Sequence, residues 1–261
     1  MSRRIIAAAI LATIAACAAQ ADERRNFVTC PIMRDTASVP CWLAEYQGEL
    51  YFLTLQTDVT SPVTPPWLGH RVLVEGRLAT DKPRICGGVV LEPVVLSVLP
   101  ELDASCNTIL PAEERYNLTF EPPRPPGPSA GRLAFAAAPS DAPRPAAPPE
   151  PPRNFTLRYD FDGLVVFRHA GDLTAILDAA RARKARTIAI TAHRGAVLLS
   201  DGSTLTERTG IAAQRAEQIA TLLRGAGLSD VEYRVNADET PAPATGDDDA
   251  TLRVATVQLE R

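Results

Sequence analysis

The spacing of hydrophobic positions changes along this chain, and each change marks an element. Residues 154–161, NFTLRYDF, alternate strictly: Phe155, Leu157, Tyr159 and Phe161 fall on one side, Thr156, Arg158 and Asp160 on the other. That is the two-residue period of a half-buried strand. From Asp172, a residue type suited to capping a helix, the period lengthens. Leu173, Ile176, Leu177 and Ala180 recur at the spacing of one helix face. TIAITA (187–192) is a short apolar run and predicts a buried strand. RTGIAAQRAEQIATLLRGAGL (208–228) predicts a second amphipathic helix that ends in glycines. Its apolar side carries Ile211, Ile219 and Leu222, with Ala212, Ala216 and Leu223 beside them, and Arg215 points between Ile211 and Ile219. VEYRV (231–235) and TLRVATVQL (251–259) read as strands. The predicted order is β-α-β-α-β-β, with both helices on one face of a mixed sheet.

Residues 27–120 show only the shorter period. CWLAEYQGELYFLTLQ (41–56) holds two apolar runs around Gln47, Gly48 and Glu49, a hairpin signal, and HRVLVEGRL and GVVLEPVVLSVL supply further strands. Pro93 has no N–H to give a ladder, so it predicts a bulge or an edge position. Four or five short strands predict a small β-barrel or sandwich, and the fold class of the whole chain is α+β. Trp42, Trp67 and Tyr46 fit core packing better than a binding face. Residues 121–153 hold twelve of the 23 prolines. Such a segment has too little apolar area for a core and predicts an extended, semi-rigid spacer that holds two domains apart.

The first residues add a location. Arg3 and Arg4 precede an apolar stretch, residues 5–16, that is too short to span a bilayer. Ala19, Gln20 and Ala21 make a small-x-small cleavage site, so residues 1–21 read as an export signal. Ile14, Ala15, Ala16 and Cys17 also fit a bacterial lipobox, with residues 1–16 removed and a lipid on Cys17. Both readings stand, and a lipid there would be the only membrane attachment. Four further cysteines, Cys30, Cys41, Cys86 and Cys106, are an even number in an exported chain and predict disulfides. Short loops around turn residues favour Cys30–Cys41 and Cys86–Cys106. Zinc is the weaker reading, because no cysteines are spaced C-x₂₋₄-C. The net charge of −4 gives no support to nucleic-acid binding. The acidic run Asp247, Asp248 and Asp249 lacks the spacing of an EF-hand and reads as a flexible surface loop.

The strand TIAIT, the helix segment QRAEQIATLLRGAGL and the terminal LRVATVQL resemble the OmpA-like periplasmic domain, also found in peptidoglycan-associated lipoproteins. The resemblance covers about residues 154–261. In that family the arginine of an R-A pair, here Arg215-Ala216, and an aspartate after the second strand grip the carboxylate and amine of diaminopimelate in peptidoglycan. This chain departs from the pattern. Arg194 stands at the aspartate position, after His193, and the family's asparagine falls at about Arg208. The intervening loop, GAVLLSDGSTLTER, is longer. Asp201 within it is a candidate replacement carboxylate if the loop folds back. The resemblance therefore assigns a peptidoglycan-peptide site to Arg215, Asp201, Arg194 and His193. The other reading pairs Arg215 internally with Asp201, Glu207 or another acid, because a buried guanidinium without a partner is costly.

Together these features predict a non-catalytic, exported binding protein of the periplasm or outer membrane of a Gram-negative bacterium. No cofactor or metal is expected. The OmpA-like domain would contact peptidoglycan, and the β-rich domain would meet an unidentified envelope protein or glycan. The alternative is a structural or protein-interaction protein whose OmpA-like domain has lost peptidoglycan affinity. An enzyme is the least favoured class: His193, or Glu45 and Glu49, would have to serve, and no second catalytic group is tied to them by spacing.

Overall fold

A computed structural model of the chain describes residues 24–56, 65–118, 151–164 and 170–261. The export segment, Cys17 and nearly all of the proline-rich spacer lie outside the described residues. What is described is an α+β structure with many strands and two helices.

The amino-terminal half contains β1 (Arg24–Thr29), β2 (Pro31–Arg34), β3 (Cys41–Tyr46), β4 (Glu49–Leu55), β5 (His70–Leu78), β6 (Val89–Leu102) and β7 (Ile109–Leu110). They form one sheet in the order β1-β5-β6-β4-β3-β2-β7. The sheet curls until Phe27 of β1 stacks on Tyr46 of β3, ring centroids 4.5 Å apart. The two ends do not join, so the expected barrel stays open. Inside the curl lie Phe27, Trp42, Leu53, Val72, Val74 and Leu96. Trp42 is therefore core and Trp67 is 62% exposed. Pro93 occupies a central strand, and the β5–β6 register shifts between Gly76 and Leu78, the bulge that a missing donor requires.

Two disulfides close this half, Cys30–Cys106 and Cys41–Cys86. The pairing expected from short loops, Cys30–Cys41 and Cys86–Cys106, is thus corrected. Cys30 precedes β2 while Cys41 opens β3 opposite Arg34, so the two lie at opposite ends of β2 and do not meet. The curl brings Cys30 at the end of β1 beside the segment after β6, and Cys41 at the start of β3 against the turn before β6.

The carboxyl-terminal half contains β8 (Asn154–Arg158), α1 (Ala170–Arg183), β9 (Thr187–His193), β10 (Ala196–Leu198), β11 (Thr204–Thr206), α2 (Ile211–Gly225), β12 (Glu232–Asp238) and β13 (Val254–Glu260). The expected β-α-β-α-β-β order holds, with the β10–β11 hairpin formed by the longer loop. The sheet order is β12-β9-β13-β8, with β12 parallel to β9 and the other pairs antiparallel. Ile188, Ile190, Ala255 and Val257 are buried in a cluster with Ile176, Ala216, Ile219 and Leu223, while Thr256 and Gln258 are exposed. The helices accordingly cover one face. Leu222, expected on the apolar side of α2, is exposed.

The halves touch. Phe161, Leu73 and Val197 form a buried cluster with Val28, Leu99, Leu199 and Leu205 around it. The Phe161 N–H donates to Ser97 Oγ at 2.9 Å. Fully buried Arg253 forms a two-pronged ion pair with Glu75, at 3.2 and 2.5 Å. Asn26, also buried, donates to the carbonyls of Leu198 and Gly246, and its backbone exchanges hydrogen bonds with Ser200. The acidic run is an ordered part of this contact rather than a free loop. Asp249 is buried and accepts from the N–H groups of Leu198, Thr245 and Gly246, and Asp247 pairs with Arg24 and Arg77. The spacer therefore joins halves that lie against each other.

Two measurements check this arrangement. Proteolysis of unreduced protein should release peptides linked Cys30–Cys106 and Cys41–Cys86, and reduction should cost about 4 kcal/mol per bridge on a loop-entropy basis. A peptide linked Cys30–Cys41 would contradict it. Arg253→Ala leaves Glu75 buried without a partner and should lower stability by about 3–5 kcal/mol in urea unfolding.

Candidate functional site

Arg215 enters the core from the second turn of α2, on the same face as Ile211, Ile219 and Leu223. Its side chain is fully buried. A guanidinium offers five N–H donors, and each meets an acceptor. Nε donates to Gly163 O at 2.9 Å. Nη1 donates to His193 O at 3.3 Å and Glu207 Oε2 at 2.9 Å. Nη2 donates to Asp160 O at 3.1 Å and Glu207 Oε1 at 2.5 Å. The guanidinium carbon lies 4.6 Å from the centre of the Tyr159 ring. Burial pushes the Tyr159 hydroxyl up to about 12, against the opposing pull of Arg215.

Glu207 is equally buried and equally occupied. Besides Arg215 it accepts from the N–H groups of Gly195, at 2.6 Å, and Asp162, at 2.8 Å. Asp162 in turn accepts from the Arg208 N–H at 2.8 Å, and burial raises its carboxyl above the ordinary range. The pair thus ties together the end of β9, the turn after β8, the segment after β11 and α2. Gly195 is the hinge of this packing. A Cβ there would stand 2.4 Å from Arg253 Cγ and 3.3 Å from Glu207 Oε2. Only a residue without a side chain fits between the two buried ion pairs.

The other sequence-derived residues are dispersed. Asp201 lies exposed at the tip of the β10–β11 hairpin and accepts from the N–H and hydroxyl of Ser203, which lower its pKa. The hairpin docks on the β-rich half, so Asp201 forms no hydrogen bond or ion pair with Arg215. Arg194 donates to Glu207 O at 2.5 Å and Glu239 O at 3.5 Å. His193 Nδ1 lies 3.5 Å from Asp238. Arg208 reaches Gln214. Glu49 pairs with Arg84, which lowers its pKa. Cys30, Asp103 and Cys106 cluster with the spacing of metal ligands, but both thiols are spent in the Cys30–Cys106 bridge.

No family model and no curated protein matches the chain. Among solved structures, the chain is similar to a MotB-like protein from Desulfovibrio vulgaris, at 17% identity and a TM-score of 0.32, over 41% of this chain and 76% of that one.

Sequence reasoning named Glu207 among the internal partners of Arg215, and the structure selects it. The partnership of Arg253 with Glu75 had no sequence signal. Glu75 sits within β5 and Arg253 just before β13, and 178 residues separate them.

Arg215→Ala should therefore act on stability. It strands a buried carboxylate and three backbone carbonyls, and should cost about 3–5 kcal/mol in chemical unfolding. Arg215→Lys should recover little, since an ammonium cannot occupy the fork. Arg215→Met combined with Glu207→Leu should be milder than Arg215→Ala alone, because no charge remains uncompensated.

Proposed function

We propose that this chain is a non-catalytic, exported protein of the cell envelope whose OmpA-like half serves as a structural and protein-interaction module, not as a grip on peptidoglycan. The carrying observation is the saturation of Arg215: all five of its N–H groups are taken inside the protein. A peptide carboxylate could bind that guanidinium only by displacing Glu207 and leaving its charge in the core. Two further features support this reading. Arg194 places a cation where the resembling family has an acid. Asp201, the candidate substitute, is held by Ser203 on a hairpin committed to the interdomain contact. Two disulfides in one small domain support an oxidising compartment and thus export. The partner is an envelope protein or glycan met by the joined halves.

Sedimentation with purified peptidoglycan sacculi tests the proposal. The mature protein should stay in the supernatant, at the level of an unrelated exported control. Retention that free diaminopimelate competes away, and that Arg215→Lys abolishes without unfolding the protein, would overturn it in favour of peptidoglycan binding.

A further inference from the structure

The parallel strands β9 and β12 end side by side, and ligands of α/β sheets are commonly received at such carboxyl ends. Here the ends open onto a groove of about 460 Å³. Its wall is apolar, formed by Ala242, Pro243, Leu252 and Val254, and its charged rim is His193, Arg194 and Asp238. Arg215 does not line it.

Arg194 is half-buried and held from one side. Nε is fixed on Glu207 O and Nη1 on Glu239 O, while Nη2 has no partner among the described residues. The guanidinium is thus oriented without being consumed. The nearby carboxylates are turned to other groups. Asp238 faces His193 and accepts from the Thr240 N–H at 3.1 Å. Glu239 caps the start of α2, accepting from the N–H groups of Gly210 and Ala213. What remains is one preoriented cationic donor beside an apolar wall.

We propose that this groove is a binding site for a small carboxylate with an apolar body, in which Arg194 takes the carboxylate and Leu252, Val254 and the Ala242–Pro243 segment take the body. A singly charged carboxylate suits the site better than a phosphate dianion, because Asp238 stands on the same rim. Charge-assisted hydrogen bonds from a fixed guanidinium supply orientation, and the wall supplies contact area. The site stands apart from the structural reading of Arg215 and does not rest on it.

The test is amide-resolved NMR titration of the intact, disulfide-bonded mature protein with N-acetylleucine and with its uncharged analogue N-acetylleucinamide. N-acetylleucine should shift the amides of His193, Arg194 and Ala242 saturably. The amide should bind about tenfold more weakly, the loss of one charge-assisted hydrogen bond. Arg194→Gln should lower affinity for N-acetylleucine about tenfold and remove its advantage over the amide. Ala242→Phe fills the groove while leaving the hydrogen bonds of Arg194 in place, and should abolish binding. If Arg194→Gln unfolds, Ala242→Phe and the carboxylate–amide comparison decide. Absence of a saturable shift in the wild type, equal binding of the amide, or wild-type affinity in Ala242→Phe would each overturn the proposal. None of these results depends on sacculus sedimentation, so the two readings fail separately.

Discussion

Two buried arginine–glutamate pairs, packed on either side of one glycine, organise this structure. Arg215 and Arg253 are both fully enclosed, and each is answered by a carboxylate, Glu207 and Glu75. Gly195 lies between Arg253 and Glu207 with no room for a methyl group. Every N–H of Arg215 is taken, while Arg253 Nε has no hydrogen-bond partner among the described residues, and each buried charge is tolerated because an opposite charge meets it. That condition fixes the end of β9, the turn after β8, the approach to α2 and the start of β13 relative to one another. Through Glu75 it extends to β5 in the other half. Burial of Glu75 raises its pKa, even though Arg253 opposes this. Desolvation, joined by the charges of Asp249 and Glu207, outweighs the pull of Arg253, and folding favours the protonated form of that carboxyl. The sign follows: this group's contribution is fullest below the ordinary glutamate range and fades as pH rises through its raised value.

The interface explains what the longer loop after β9 does. It folds as the β10–β11 hairpin, buries Val197 against Leu73 and Phe161, and meets the edge strand β1 at Asn26, where the Ser200 N–H donates to Asn26 O and the Asn26 N–H donates to Ser200 Oγ. Capping β1 in this way also covers a strand edge that would otherwise be open to pairing. The acidic segment 247–249 works with the hairpin. Asp249 holds the Leu198 N–H, while Asp247 answers Arg24 and Arg77. An insertion and an acidic run that look unrelated in the sequence are two sides of one contact.

Local pattern determined a good deal of this protein. The strand periods at 154–161 and 187–192, the helix periods around 172–180 and 211–223, the bulge at Pro93 and the hairpin at Gln47–Gly48 all follow from residue spacing and backbone chemistry, which act over a few positions. The even set of cysteines signals two bridges for the same kind of reason. The tertiary structure alone decided which cysteines meet, because pairing depends on how far the sheet curls, and Cys30 finds Cys106 across a separation of 76 residues. It decided that Leu222 is exposed, that the barrel stays open, and that the proline-rich segment joins halves in contact. Most consequentially, it decided the role of Arg215. Spacing places an arginine on the buried face of α2, but whether its donors face a ligand or the protein depends on three backbone carbonyls and one carboxylate brought in from other elements. No local rule carries that information, since a guanidinium's partners are set by where the chain returns in space.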